Sequence, residues 1–317
     1  MKVWNSFPQL QAELAKAAPS GLVVTIGNFD GVHRGHQKIL ARMKEISRAN
    51  GWLTVVVTFR EHTAKILKGG APGLLLSVEE RCAIFAEMGI DGTLLLDFTP
   101  ELAATDPASF LDRLLALGVR AMVVGHDFTF GAGGAGDTGL LLTYLQKQGC
   151  YGEVVPPVKV HGKIVSSTRI RSYLRNGQLA TANEMLNRPF FLAGPVCRGQ
   201  GLGKVLGFPT ANLSYPPERL LPKFGAYFVR VILNGEVYCG LANVGCKPTF
   251  DYDKPLVEVF INQFSRDIYG ALLTVEFLHF LREEKKFASP EALKAQLLLD
   301  QKQGEELRRR YACAEKR

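Results

Sequence analysis

The residues best placed by type and spacing to do chemistry lie in Gly27-Asn28-Phe29-Asp30-Gly31-Val32-His33-Arg34-Gly35-His36. His33 and His36 are three apart, so on the first turn of a helix they share a face, and two imidazoles there can both donate to one anion. Gly27, Gly31 and Gly35 allow positive φ and let a ligand approach the backbone closely. A helix beginning near His33 adds unpaired N–H groups and the positive end of its dipole. That combination suits phosphate, and therefore nucleotide chemistry. A glycine-rich turn before a helix is also an ordinary connection, and a His-x-x-His pair can hold a metal. No cysteine or acidic residue stands beside this pair at zinc-like spacing, which makes a closed zinc site a poor reading.

Four further stretches carry usable side chains. Ser166-Ser167-Thr168-Arg169-Ile170-Arg171 puts small hydroxyls at a helix start with a cation one turn in, which suits phosphate oxygens and serves equally as an ordinary N-cap. Phe59-Arg60-Glu61-His62 and Gly125-His126-Asp127-Phe128-Thr129-Phe130-Gly131 each follow an apolar run, and taken alone His62 and His126 read as exposed loop residues. Gly199-Gln-Gly201-Leu-Gly203-Lys204-Val-Leu-Gly207 runs into Phe208-Pro-Thr210-Ala-Asn212-Leu213. Its glycines superficially match a dinucleotide fingerprint, but no helical pattern follows them, and Gly203-Lys204-Val205 lacks the Ser/Thr of a Walker loop. Glu258, flanked by Val257 and Val259 at period two, reads on its own as an outward-facing strand residue.

The elements that must position these groups follow from periodicity. Leu22–Ile26 is a buried strand ahead of the histidine turn, and 37–46 has helical spacing behind it. Leu53–Phe59 is β-branched and apolar on both faces, as in a parallel sheet. Ser77-Val-Glu-Glu80 is a capping box opening a helix through Met88, ended by Gly89. A strand at 93–97, a helix opened by Asp106-Pro107 and running to Leu117, a strand at 121–124 and a helix at 140–148 continue the alternation. Such alternation implies an open parallel α/β sheet, with its ligand site at the carboxyl ends of the strands. Beyond Asn187-Arg188-Pro189 the texture becomes short strands, at 190–197, 226–233, 237–242, 256–262 and 273–280, with Asn234-Gly235 as a hairpin signal and a helix from Ser289-Pro290. Two domains are expected, 1–186 and 187–317.

Composition narrows the partners. The formal charge of +8 is the difference of 38 basic and 30 acidic residues, spread over both halves. Only Arg308-Arg309-Arg310 is a tight basic cluster, and on a helix it reads as a solvated face, so no nucleic-acid partner is expected. The excess suits small anionic substrates. The six cysteines are far apart with no Cys-x-x-Cys, implying free thiols in a reducing compartment. No stretch approaches the ~18 apolar residues of a membrane span, and the N-terminus has no signal-peptide pattern, so a cytoplasmic location and no membrane partner are expected.

Gly27 to His36 resembles the His-x-Gly-His signature of nucleotidylyltransferases, in the long form carried by bacterial bifunctional riboflavin kinase/FMN adenylyltransferases. The resemblance extends in order along the chain. Gly125 to Gly131 is similar to that family's Gly-x-Asp-Phe-x-Phe-Gly, and Ser166 to Arg171 to its second phosphate-binding signature. The glycine loop with Pro209-Thr210-Ala-Asn212 resembles flavokinases, and Gly240-Leu-Ala-Asn-Val-Gly245, Pro248-Thr249, Val257-Glu258-Val259, Tyr269-Gly270 and Leu281-Arg282 before Phe287 match further. This implies a Rossmann-like nucleotidyltransferase domain followed by a flavokinase β-barrel with a C-terminal helix, making FMN from riboflavin and then FAD from FMN, with ATP and Mg2+. On the same resemblance His33, His36 and Glu258 are catalytic. Gly27, Asn28, Phe29, Gly31, Gly35, Ser167, Thr168 and Arg171 bind ATP in the first domain, and Phe59, His62, Asp127 and Phe128 bind flavin. Gly199, Gly201, Gly203, Lys204, Gly207, Thr210 and Asn212 bind ATP in the second domain, where Thr210 and Asn212 also hold the metal. A monomer or weak homo-oligomer is expected. Two departures stand out: the family's Phe-x-Pro-His-Pro turn is Phe59-Arg-Glu-His-Thr63 here, and the loop Gly131-Ala-Gly-Gly-Ala-Gly-Asp137 lacks the usual cation. A looser turn at 60–63, a mobile 125–137 loop and partial replacement of the lost charge by Arg60 are the expected consequences.

Overall fold

Runs of aliphatic and β-branched residues that cannot be exposed on either face build the first sheet. A computed structural model of the chain describes residues 1–199, 207–246 and 255–311, in two units, Met1–Ser167 and Thr168–Arg317. In the first unit, β1 (Lys2–Trp4), β2 (Leu22–Ile26), β3 (Leu53–Phe59), β4 (Gly92–Leu96), β5 (Val119–Gly125) and β6 (Tyr151–Val155) form one parallel sheet in the order β1-β4-β3-β2-β5-β6. Every residue of β2 and β4 is buried, as expected where helices cover both faces of a parallel sheet. The helices are α1 (Phe7–Ala17), α2 (Arg34–Asn50), α3 (Ala64–Lys68), α4 (Val78–Glu87), α5 (Pro100–Ala103), α6 (Pro107–Leu115) and α7 (Thr138–Lys147). The Ser77/Glu80 capping box and the Asp106 cap form as the sequence specifies.

β2 is followed through α2 by its neighbour on one side, β3, whereas its neighbour on the other side, β5, belongs to the part of the sheet that continues to β6. The strand order therefore reverses between β2 and β5. In an open parallel sheet the crevice outside the carboxyl ends of strands at such a switch point is where ligands bind. The histidine turn leaves β2, and the 125–131 segment leaves β5, on the two sides of that crevice.

β7 (Lys159–Val160) and β8 (Lys163–Ile164) pair as a short antiparallel ribbon late in the first unit, and in the second unit six antiparallel strands close into a barrel. β9 (Phe190–Cys197), β10 (Thr210–Leu213), β11 (Gly225–Leu233), β12 (Glu236–Cys246), β13 (Pro255–Ile261) and β14 (Leu272–Glu283) lie in the order β10-β13-β12-β11-β14-β9. Asn234 (φ 50°) and Gly235 (φ 80°) make the two-residue turn between β11 and β12. Val257, Val259 and Ile261 fill the interior from β13. The C-terminal helix α10 (Pro290–Arg310) covers the outer face, where Leu307 and Tyr311 join Phe228, Leu241 and Phe260. Gly304 lets it sit close, since a Cβ there would lie 3.3 Å from both Leu241 and Phe228. α8 (Ser167–Arg175) begins at the last residue of the first unit, and α9 (Leu179–Leu186) is stitched to the barrel by Asn183, which donates to the Phe277 carbonyl (2.9 Å) and accepts from the Phe190 N–H (2.7 Å).

Candidate active sites

In the first unit the chemistry gathers where β2 turns into α2. His33 is the N-cap, its Nδ1 accepting from the His36 N–H at 3.4 Å. A neutral imidazole with Nδ1 as acceptor carries its proton on Nε2, so His33 is set as an Nε2–H donor. The His33 and His36 rings stack at 3.6 Å with 14° between planes, and Phe29 abuts His36 at 5.0 Å. The two rings pack as one unit. The glycines divide their work differently from the sequence expectation. Only Gly31 takes a positive φ (85°), while Phe29 (48°) and Val32 (35°) occupy the left-handed region as non-glycines. Gly27 and Gly35 are needed for closeness, because a Cβ would come within 3.3 Å of the Phe29 ring and 3.2 Å of the His33 ring respectively.

The turn is braced from below. The buried Asp30 carboxylate accepts from the Leu75 and Leu76 N–H groups at 2.9 and 3.2 Å, and Ser167 Oγ donates to the Asp30 carbonyl at 2.7 Å. The Asn28 amide is spent on Thr63, its Nδ2 donating to Oγ1 (2.9 Å) and its Oδ1 accepting from the N–H (3.1 Å). That pair of bonds staples the 60–63 turn, so the absence of prolines does not leave it loose. His62 Nδ1 accepts from the Ala64 N–H at 3.2 Å. Arg60 does not replace the missing cation of the 131–137 loop: its guanidinium bonds Asp97 (3.1 Å) and Asn5 (3.0 Å). Phe59, at the end of β3, is buried and packs edge-on against Phe98.

At the end of β5, Asp127 is largely exposed and Phe128 stacks on Phe130 at 5.3 Å. The loop beyond is tied rather than free. Phe130 and Gly136 bridge in both directions at 2.9 Å, the Ala132 N–H donates to the Thr105 carbonyl at 2.8 Å, and Gly131, Gly133 and Gly134 absorb positive φ. In the second unit, Thr168 lies in the first turn of α8 and Arg171 is buried one turn on.

The barrel brings together residues that the sequence holds far apart. Asn212 on β10 lies directly opposite Glu258 on β13, and Glu258 lies directly opposite Asn243 on β12. Opposed residues have Cβ atoms roughly 4.5–5.5 Å apart on one face, so the three side chains form a row. The row runs on through Ala226 to Arg282. It has the parity of Phe260 and Leu241 and so lies on the outer face, beside α10. Asn212 is only 8% exposed, and Gly199 gives it room, since a Cβ there would overlap its amide. Thr210 points from the same face two residues earlier. Gly207 is in the left-handed region (φ 84°), while Gly201, Gly203 and Lys204, with Pro248 and Thr249, lie outside the described residues.

Sequence reasoning missed three participants. β10 was not expected as a strand, because its Thr-Ala-Asn-Leu is too polar and short to show alternation, so the row with Asn243 was invisible. Asp30 was read only as part of the turn. Arg81, one residue past the capping box, looks like a surface helix cation yet is 6% exposed, donating to the carbonyls of Asn28 and Phe59 (the latter 2.7 Å) and to Thr58 Oγ1 at 3.3 Å. Burial pushes its pKa down, opposed by the neighbouring Asp30 carboxylate. Among the described residues no group of three or more His, Cys, Asp or Glu forms a metal cluster, and no helix is long and apolar enough to cross a membrane.

Comparison with known proteins matches two successive stretches of the chain to two families. Residues 15–169 match the FAD synthetase family model and residues 186–307 the riboflavin kinase model. A bifunctional riboflavin kinase/FMN adenylyltransferase of Pseudomonas fluorescens is 40% identical over 88% of this chain and 91% of its own, and that of Escherichia coli K12 is 36% identical over 91% and 93%. A crystal structure described as a macrolide-efflux protein from Streptococcus pneumoniae superposes with a TM-score of 0.84 at 32% identity, covering 90% of this chain and 94% of that one.

Proposed function

The chain belongs to the bifunctional riboflavin kinase/FMN adenylyltransferase family, and from that premise we propose how its own residues carry the two reactions.

In the barrel, residues 187–317, the 5′-hydroxyl of riboflavin attacks the γ-phosphorus of ATP. Such transfer runs on positioning and charge neutralisation, with a group to take the hydroxyl proton. Glu258 takes it. The observation that carries this reading is the cross-strand row, which sets that carboxylate beside Asn212. Thr210 and Asn212 suit Mg2+: two hard side-chain oxygens on one face, one from a buried asparagine, leave most positions to phosphates and water, as that ion prefers. Bound there, the ion neutralises phosphate charge. Gly199, Gly201, Gly203, Lys204 and Gly207 bind the ATP phosphates.

In residues 1–186 the FMN phosphate attacks the α-phosphorus of a second ATP and pyrophosphate leaves. His33, through Nε2–H, and His36 donate to the charge that builds on the α-phosphate. A single preorganised donor of this kind is worth roughly 3–4 kcal/mol. Gly27, Phe29, Gly31 and Gly35 shape the turn that receives the phosphates, Asn28 fixes its neighbour at Thr63, and Ser167, Thr168 and Arg171 hold ATP. His62, Asp127 and Phe128 border the flavin. The partners are small molecules, without nucleic acid or membrane, and the enzyme works in the cytoplasm as a monomer or weak homo-oligomer.

The test is to supply each substrate separately. Glu258→Gln and Asn212→Ala should stop FMN formation from riboflavin while FAD still forms from added FMN; loss of a general base costs ~10²–10⁴-fold. A Glu258→Gln protein that phosphorylates riboflavin at the parent rate would remove Glu258 from the mechanism.

A further inference from the structure

Resting on the reading of the histidine turn as the adenylylation site, we propose that Arg81 is a positioning residue for adenylyl transfer, a buried cation that fixes the turn in its anion-receiving conformation. The observation is a clamp from one helix. α4 presents Arg81 and, one turn later, Phe85 to the underside of the turn. The Arg81 guanidinium bonds the carbonyls of Asn28 and Phe59, where β2 and β3 end, and the Phe85 ring meets Phe29 edge-on at 5.6 Å.

Three consequences follow. The carboxyl end of a parallel sheet presents carbonyl oxygens, whose partial negative charge would repel a polyphosphate. Arg81 takes up two of them at the point where the anion is expected. A trans peptide also sets its C=O and N–H in opposite directions. With the Asn28 carbonyl aimed at Arg81, the Phe29 N–H is turned away from α4. Finally, Phe29 and Val32 sit at φ 48° and 35°, strained conformations for non-glycine residues that persist only where surrounding contacts over-determine them. Arg81, Phe85 and the Asp30 bonds to Leu75 and Leu76 are those contacts. The rings of His33 and His36 stand on this strained turn, so their aim depends on it.

A fork is needed, because one planar guanidinium serves two carbonyls and a hydroxyl at once, which a lysine ammonium on a flexible stem does not reproduce. The Arg81 Nε has no hydrogen-bond partner among the described residues, so the cation is held through its two terminal nitrogens.

The experiment uses the full chain, with riboflavin phosphorylation as an internal control on each preparation. Arg81→Ala should lose roughly 10²-fold in kcat for FAD formation from FMN, the scale of a misplaced catalytic group, while its kinase rate stays at the parent value. Added methylguanidinium should restore part of the adenylylation rate in Arg81→Ala and none in His36→Ala. Arg81→Lys should keep the parent melting temperature yet remain impaired, and it decides the matter if Arg81→Ala does not fold. Parent-level adenylylation in Arg81→Lys would overturn the proposal, as would parent-level kcat in a folded Arg81→Ala or no methylguanidinium rescue of it. Failure of the underlying reading looks different: the parent would make no FAD from FMN, or His36→Ala would make it at the parent rate.

Discussion

The stacked pair His33/His36 shows how narrow the tolerances are at the scale of single residues. Gly35 lies under the His33 ring, which is itself held 3.6 Å from His36. A Cβ there would press the ring to shift by a few tenths of an ångström against that stack. Gly35→Ala should therefore lower kcat for adenylylation and leave riboflavin phosphorylation untouched, measured by following FMN and FAD chromatographically; an unchanged adenylylation rate would mean the ring moves freely. A second residue carries a pH signature. On β14, His279 is partly buried, and burial, then the nearby Arg310, holds its pKa below the ordinary value of 6.5. As pH falls through that value the unfolded chain takes up a proton that the folded state refuses, so stability present above about pH 6.5 is lost below it. Melting of the parent should drop more steeply than that of His279→Gln between pH 7.5 and 5.5, about one unit to either side of that value. Parallel curves would show that His279 does not titrate differently on folding.

Elements were legible in proportion to their regularity. The buried strands β2 to β5, the capping box of α4, the Asp106-Pro107 start of α6 and the Asn234-Gly235 hairpin carry local signals strong enough to read directly. β1 has three residues, β6 is an edge strand with only Val155 fully buried, and β10 is polar; none shows a period, and each exists because a neighbour supplies its pairing. The site followed the same division. The histidine turn is contiguous in the chain and could be read, whereas the Asn212–Glu258–Asn243 row and the Arg81 clamp join distant segments. The docking of α10 is another such junction. Arg282 on β14 forms a bidentate pair with Asp300 (Nη2–Oδ2 2.8 Å), the carboxylate side chain 4% exposed. Removing one partner of a buried pair leaves the other charge uncompensated, at a cost of ~3–5 kcal/mol. Asp300→Ala should destabilise the barrel by that order in urea unfolding, and a midpoint equal to the parent's would show that the apolar contacts of Leu307 and Tyr311 suffice to hold the helix.

In the whole molecule a parallel sheet with its switch-point crevice and a closed barrel with an outward polar row share one chain, and in the proposed scheme they share one intermediate. If FMN made by the barrel is released and adenylylated by any intact first unit, the two reactions need not occur on the same molecule. The direct test mixes two proteins, each disabled in one of the two reactions. His36→Ala alone should convert riboflavin and MgATP to FMN and stop, and Glu258→Gln alone should leave riboflavin unchanged. Mixed, they should produce FAD after a lag in which FMN accumulates. No FAD from the mixture, with both proteins folded and each retaining its one expected activity, or FAD from either protein alone at the parent rate, would contradict two independent sites.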